Sequence, residues 1–148
     1  MAGVAALVAA VATTVAIMVF AFPASINYSP PNVKFVEFTF DRKQDIKVGE
    51  SLKVFFNVVN HESRTFNDVR VVVFIEPSSS YQPYLLIDKP TVILPALAGK
   101  DSQTGQNQVT ITATGSPAKE ATYTVRGVLY VDGMQTDVRE FDLKIRQQ

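Results

Sequence analysis

The chain has 148 residues, 14 of them basic and 14 acidic, so its formal net charge at pH 7 is zero. The charges are scattered without runs and none precedes Lys34, which leaves no electrostatic footprint for nucleic acid or another polyanion. Cysteine is absent, which excludes disulfide staples, thiolate catalysis and cysteine-based metal sites.

Met1 to Phe22 (MAGVAALVAAVATTVAIMVFAF) carries no charged side chain, and its only hydroxyls are those of Thr13 and Thr14. As a helix it would be about 33 Å long at roughly 1.5 Å per residue, enough to cross a bilayer, and Pro23 would end it. A cleavable signal peptide fits poorly. It needs a basic start, a shorter apolar core and a small residue at the cleavage point, where this chain has Phe22. A membrane anchor and a helix packed inside a protein assembly both remain. Ala2, Ala6, Ala10 and Thr14 fall on one helical face, with Ala5, Ala9 and Thr13 on the next, and such small-residue faces let helices approach closely in an apolar medium. The helix propensity of alanine accounts for the same residues with no partner at all.

Pro23 to Asn32 (PASINYSPPN) is a linker, stiffened by Pro30 and Pro31 and containing one glycosylation-type sequon at Asn27. From Val33 the hydrophobic period changes from 3.6 to 2. The first predicted strand is Val33 to Phe40, with Val36, Phe38 and Phe40 on one face. A polar turn over Asp41 to Glu50 leads to Ser51 to Asn60, with Leu52, Val54, Phe56 and Val58 on one face. After the polar loop NHESRTFND come Val69 to Ile75, then the shorter candidates Tyr84 to Asp88, Thr91 to Leu94 and Gln108 to Ala113. The stretch LAGKDSQTGQN reads as a mobile loop tip. Two long strands close the chain, Ala121 to Val131 and Gln135 to Ile145, joined by Asp132-Gly133, a pair suited to a two-residue type I′ turn.

This pattern predicts a mainly β chain: an immunoglobulin-like antiparallel β-sandwich of seven or eight strands over residues 33–148, preceded by one apolar helix (1–22) and a linker (23–32). Lys34 and Arg42, near the helix end, faintly favour a cytoplasmic domain, but large domains translocate regardless of charge. Stalked β-modules are mainly extracytoplasmic by analogy, so the expected location is a membrane-anchored domain outside the cytoplasm, or an extracellular filament.

Residues that carry chemistry do not assemble into a motif. His61 is the only histidine and lies in a polar loop, where it reads as solvated. Asp41 and Asp45 lack the alternating spacing of a calcium loop. Asp137, Glu140 and Asp142 alternate with Arg139 and Lys144, the pattern of a solvated strand face. Gly99 and Gly105 belong to no phosphate-binding fingerprint. The expectation is therefore no enzyme, cofactor, metal or small-molecule substrate. What the sequence offers instead is surplus apolar surface. Val69, Val71, Val73 and Ile75 fill one strand face, yet Val72 and Phe74 make the opposite face apolar as well, and Phe55 and Val59 do the same in their strand. A sandwich strand buries one face, so Phe55, Val72 and Phe74 are expected to form or underlie a contact surface, unless a loop covers them. Tyr81 and Tyr84 are further amphipathic candidates.

An uncharged apolar helix, a short linker and one β-sandwich resemble, in plan, the archaeal type IV pilins, archaellins and archaellum stator proteins, a resemblance carried by Met1 to Phe22. It implies that the helices pack into a filament core while the β-domains form the shell. The stretch Ile46 to Asn60 (IKVGESLKVFFNVVN) is also similar to CARDB and related immunoglobulin-like adhesion modules. The expected function is a non-enzymatic structural subunit of a surface filament or envelope appendage. The alternative is a single-span accessory subunit docking on larger partners. Expected partners are copies of itself or other membrane subunits, with lipid around the helix.

Overall fold

The computed structural model describes residues 29–42, 44–76, 84–115 and 121–146. The apolar helix expected over residues 1–22, with its face of Ala2, Ala6, Ala10 and Thr14, and Tyr81 lie outside the described residues.

Ten strands fall within them: β1 (Val33–Phe40), β2 (Asp45–Ile46), β3 (Ser51–Asn60), β4 (Val69–Glu76), β5 (Leu85–Ile87), β6 (Thr91–Leu94), β7 (Ser102–Gln103), β8 (Asn107–Ala113), β9 (Ala121–Val131) and β10 (Met134–Ile145). One sheet has the order β1-β3-β8-β5, with β7 paired to β3, and the other the order β2-β10-β9-β4-β6. Every pairing is antiparallel except β2 with β10. The core lies between the sheets because alternate residues of each strand point inward. Leu52, Val54, Phe56 and Val58 of β3 meet Val69, Val71 and Val73 of β4 and Val125, Leu129 and Val131 of β9 in one buried cluster. The β9–β10 hairpin turns at Asp132 (φ 49°) and Gly133 (φ 77°), the two positive values that a type I′ turn demands.

Four details differ from the alternating pattern. A bulge between Phe35 and Glu37 shifts the register of β1, so Phe35 is buried while Val36 is 50% exposed, and Val36 does not share a face with Phe38 and Phe40. The stretch Asp41 to Glu50 is more than a turn: Ile46 is fully buried where β2 runs parallel to the end of β10. Asp137 leaves the solvated face because β10 bulges between Gln135 and Asp137; its carboxylate accepts the Phe35 amide at 3.0 Å. The stretch read as a mobile tip is tied down, with β7 on β3 and Thr104 buried, its hydroxyl accepting the Val58 amide at 3.0 Å.

Beside Gly127 a ring from the opposite sheet packs directly on the backbone. A Cβ there would stand 2.3 Å from Cε2 of Phe38. The glycine thus admits the Phe38 ring, which also packs on Phe35 and Phe141 with centroids 5.4 and 6.0 Å apart.

Candidate interaction surface

Two places combine chemistry with exposure: the end of the sandwich where the linker enters, and the outer face of the sheet containing β4.

At the linker end, Pro31 is buried. The Asn32 amide donates to Glu62 Oε1 at 2.8 Å, and the His61 amide donates to the Asn32 carbonyl at 3.0 Å. That Asn32 bond, followed by the Arg64 guanidinium, holds the Glu62 carboxyl below its ordinary range. Beneath them Asn60 is wholly buried. Its side-chain amide donates to the carbonyls of Arg64 (2.7 Å), Ala98 (3.0 Å) and Leu97 (3.3 Å), while its Oδ1 accepts the Glu62 amide at 2.9 Å. Phe66, 1% exposed, bridges to Leu97 through paired backbone bonds. Lys100 and Asp101 have φ of 61° and 60°, an uncommon conformation for side-chain-bearing residues. Their amides donate to Glu62 and Asn60 carbonyls at 2.7 and 2.9 Å, which holds them there. The exposed His61 ring pairs with Asp101 at 2.5 Å. The polar loop read from sequence therefore conceals a buried polar hub. In the sequence Asn60 stands only at the junction of a strand and a polar loop, and nothing there marks its four bonds.

On the outer face of the β4 sheet, the register aligns residues in rows. Ile93, Arg70, Tyr130 and Gln135 form the first, and Thr91, Val72, Val128 and Val138 the second. Phe74, Arg126 and Glu140 form the third, and Glu76, Thr124 and Asp142 the fourth. Val72, Phe74, Val138 and Tyr130 are half-buried, Val128 is 3% exposed and Ile93 is 79% exposed. Arg126 donates to Glu76 at 2.9 Å and to Glu140 at 3.0 Å. A concavity of about 290 Å³ opens between Arg70, Val72, Thr91, Tyr130 and Gly133. Sequence reasoning found Val72 and Phe74 and missed Val128, Val138, Ile93 and Tyr130. They join the same patch only once pairing partners are known.

Phe55 is also half-buried, but its cross-strand neighbours on the opposite sheet are Thr39 and Gln108, so it stands alone on a polar face. Val59 is buried between Lys34 and Gln103. Tyr84 is half-buried and packs against the core, near Tyr123. Burial, then the nearby Tyr84, pushes the Tyr123 phenol up from its ordinary value. Among the described residues no group of three or more His, Asp or Glu is placed to hold a metal ion.

The fold is similar to that of a CARDB domain from Pyrococcus furiosus, at 12% sequence identity and a TM-score of 0.51, over 81% of this chain and 99% of that one. A crystal structure of that domain in complex with di-metal ions gives 11% identity and a TM-score of 0.51, over 82% and 94% of the two chains. Escherichia coli alpha-2-macroglobulin contains a similar unit, at 9% identity and a TM-score of 0.53, covering 78% of this chain and 7% of that one. No protein-family model matches the sequence, and no curated protein matches it. Likeness at such low identity speaks for fold alone, and it places the described residues among immunoglobulin-like, CARDB-like β-sandwiches.

Proposed function

We propose that this chain is a non-enzymatic structural subunit of a cell-surface filament or envelope appendage. Its apolar N-terminal segment is the assembly element, and its β-sandwich is displayed outside the cytoplasm. The observation that carries this reading is the clasp on the linker. Pro31 is buried, and Asn32 is bonded on both sides by Glu62 and His61, so the chain enters the sandwich at one end in a fixed direction. An apolar segment ahead of such a clasp would present the sandwich end-on and leave its sheet faces free to meet neighbours. A single-span accessory subunit of a membrane complex is the second reading, favoured by the half-buried Val72 and Phe74, which also suit a larger, dissimilar partner.

The deciding experiment is negative-stain imaging with mass spectrometry of native material captured by an antibody to the sandwich. Filaments built from this one chain are the expected result, and replacing Ala6 or Ala10 by Phe should abolish them while the sandwich stays folded. Discrete particles containing other membrane subunits would overturn the filament reading in favour of the accessory one.

A further inference from the structure

We infer that the outer face of the β4 sheet is a self-complementary docking surface for a second copy of this chain, seated face to face with its β4 running antiparallel to the first. This deepens the reading of the chain as a self-assembling subunit and rests on it.

The order of residues along β4 selects the arrangement. Its outward positions read Arg70, Val72, Phe74, Glu76: a cation, two apolar side chains, an anion. A two-fold axis lying in the contact plane, perpendicular to the strand and passing over Val73, maps Arg70 onto the partner's Glu76 position and Val72 onto that of Phe74. Every pairing it creates occurs twice, as an isologous contact requires. An axis along the strand would instead set Arg70 against Arg70 and Glu76 against Glu76, so charge selects the first arrangement.

The concavity agrees with that choice. It lies beside Val72 and Tyr130 and is capped by Arg70 and the hairpin glycine Gly133. Phe74 of the partner subunit falls opposite Val72, at its mouth, and the carboxylate that follows two residues on falls opposite Arg70. Arg70 is only loosely held in its own chain, 3.8 Å from Asp68 and 44% exposed. The Glu76 carboxylate bonds Arg126 through Oε1 and is 37% exposed, so it can serve both guanidinium groups. Half-buried Val138 lies to one side in the Val72 row, where the same axis sets the exposed Arg126–Glu140 pair of the partner subunit at the edge of the contact; Val128, 3% exposed, is already covered, and exposed Ile93 lies at the opposite rim.

The size of the patch sets how tightly it binds. From Arg70 to Glu76 is about 20 Å at roughly 3.3 Å per residue, and the strands from β4 to β10 span about 10 Å between their axes at roughly 4.8 Å spacing. That footprint is smaller than the roughly 800 Å² per partner of a standard stable interface, so isolated sandwiches should pair weakly. Chains gathered by their N-terminal segments meet at a much higher effective concentration, and there the contact is populated.

The test uses the full chain, whose lack of cysteine allows clean placement of single thiols. Sheets packed face to face lie about 10 Å apart, too far for a disulfide, so the probe is a short bismaleimide. Two differently tagged chains, one with Val72→Cys and one with Phe74→Cys, are co-expressed and cross-linked, then compared with each variant alone. The expected result is a linked pair several-fold more abundant in the mixture than in either single population. Adding Arg70→Glu to both chains should reduce it roughly fivefold to tenfold, because two symmetric attractions become repulsions. Circular dichroism of each variant confirms retention of the sheet fold.

Stronger linking within the single populations would refute the antiparallel arrangement. Absence of linking, or linking only to a chain of different mass, would refute the second copy as occupant. Filaments without the crossed link would leave the filament reading standing and remove this contact. Crossed links in discrete pairs without filaments would do the reverse.

Discussion

Replacing Asn60 tests whether the end of the sandwich is organised by one buried amide. The side chain is fully buried and makes four bonds to loop backbone, at 2.7 to 3.3 Å. Asn60→Ala leaves three carbonyls without that donor and the Glu62 amide without its acceptor. The part-buried groups recover some hydration, and the Leu97 carbonyl, whose bond is buried, recovers least. At about 1 kcal/mol for each of the three part-buried bonds and roughly 1–3 kcal/mol for the Leu97 carbonyl left buried and unpaired, the loss should be about 4–6 kcal/mol. In urea, with a slope of roughly 1.5–2 kcal/mol per molar, the unfolding midpoint should fall by about 2–4 M. Asn60→Asp is the sharper control. It keeps an acceptor for the Glu62 amide but aims a second oxygen at the three carbonyls, so at pH 7 it should be less stable than the alanine variant. Burial among carbonyls raises the carboxyl pKa in the folded state above its unfolded value of about 3.9. Its neutral form can donate, so its stability is fully present below that unfolded value and lost as pH rises through the folded one. The deficit of Asn60→Asp should therefore shrink as the solution is acidified. An alanine variant within about 1 kcal/mol of the parent, or an aspartate variant no worse than alanine at pH 7, would refute the hub.

Gly99→Ala places a Cβ 2.3 Å from the Ser63 carbonyl oxygen and 2.4 Å from its carbon, which are backbone atoms that cannot swing aside. A loss of roughly 2–3 kcal/mol in chemical denaturation is expected. Gly127→Ala meets the end of the Phe38 ring instead, so its cost of about 1–3 kcal/mol should diminish in a Phe38→Leu background, and a double-mutant cycle measures that coupling. Glu62 has a folded-state pKa below its ordinary value of 4.5, so the Asn32 clasp should be intact above that value and weaken as pH falls through the lower folded one. The Asn32 amide resonance, followed by NMR through an acid titration, should shift in that window in the parent and not in Glu62→Gln. Tyr123 is raised above 10.0, so its contribution to stability should be complete below pH 10 and lost as pH rises through the folded value, read by ultraviolet phenolate absorbance against Tyr123→Phe.

The strands were legible because a two-residue period in hydrophobicity is imposed locally by the pleat. Val33–Phe40, Ser51–Asn60, Thr91–Leu94 and Ala121–Val131 start and stop where composition changes, and Asp132-Gly133 carries its turn in its own backbone preference. What composition could not reveal depends on partners distant in sequence. Ile46 counts as core only because the end of β10 lies beside it, and Asp137 is drawn to the rim by a bulge and the Phe35 amide. Gly127 is required by a ring from the opposite sheet, and Asn60 is buried because two loops close over it.

The candidate surface divides in the same way. Sequence alone determined that β4 is apolar on both faces, since Val72 and Phe74 interrupt the alternation within the strand itself. Only the tertiary structure decided that Val138 continues that patch while Val128 beside it is covered, that Phe55 has no comparable neighbours, and that Tyr84 lies against the core. The physical reason is that a strand fixes which of its residues share a side, whereas pairing register and sheet packing fix what stands next to them.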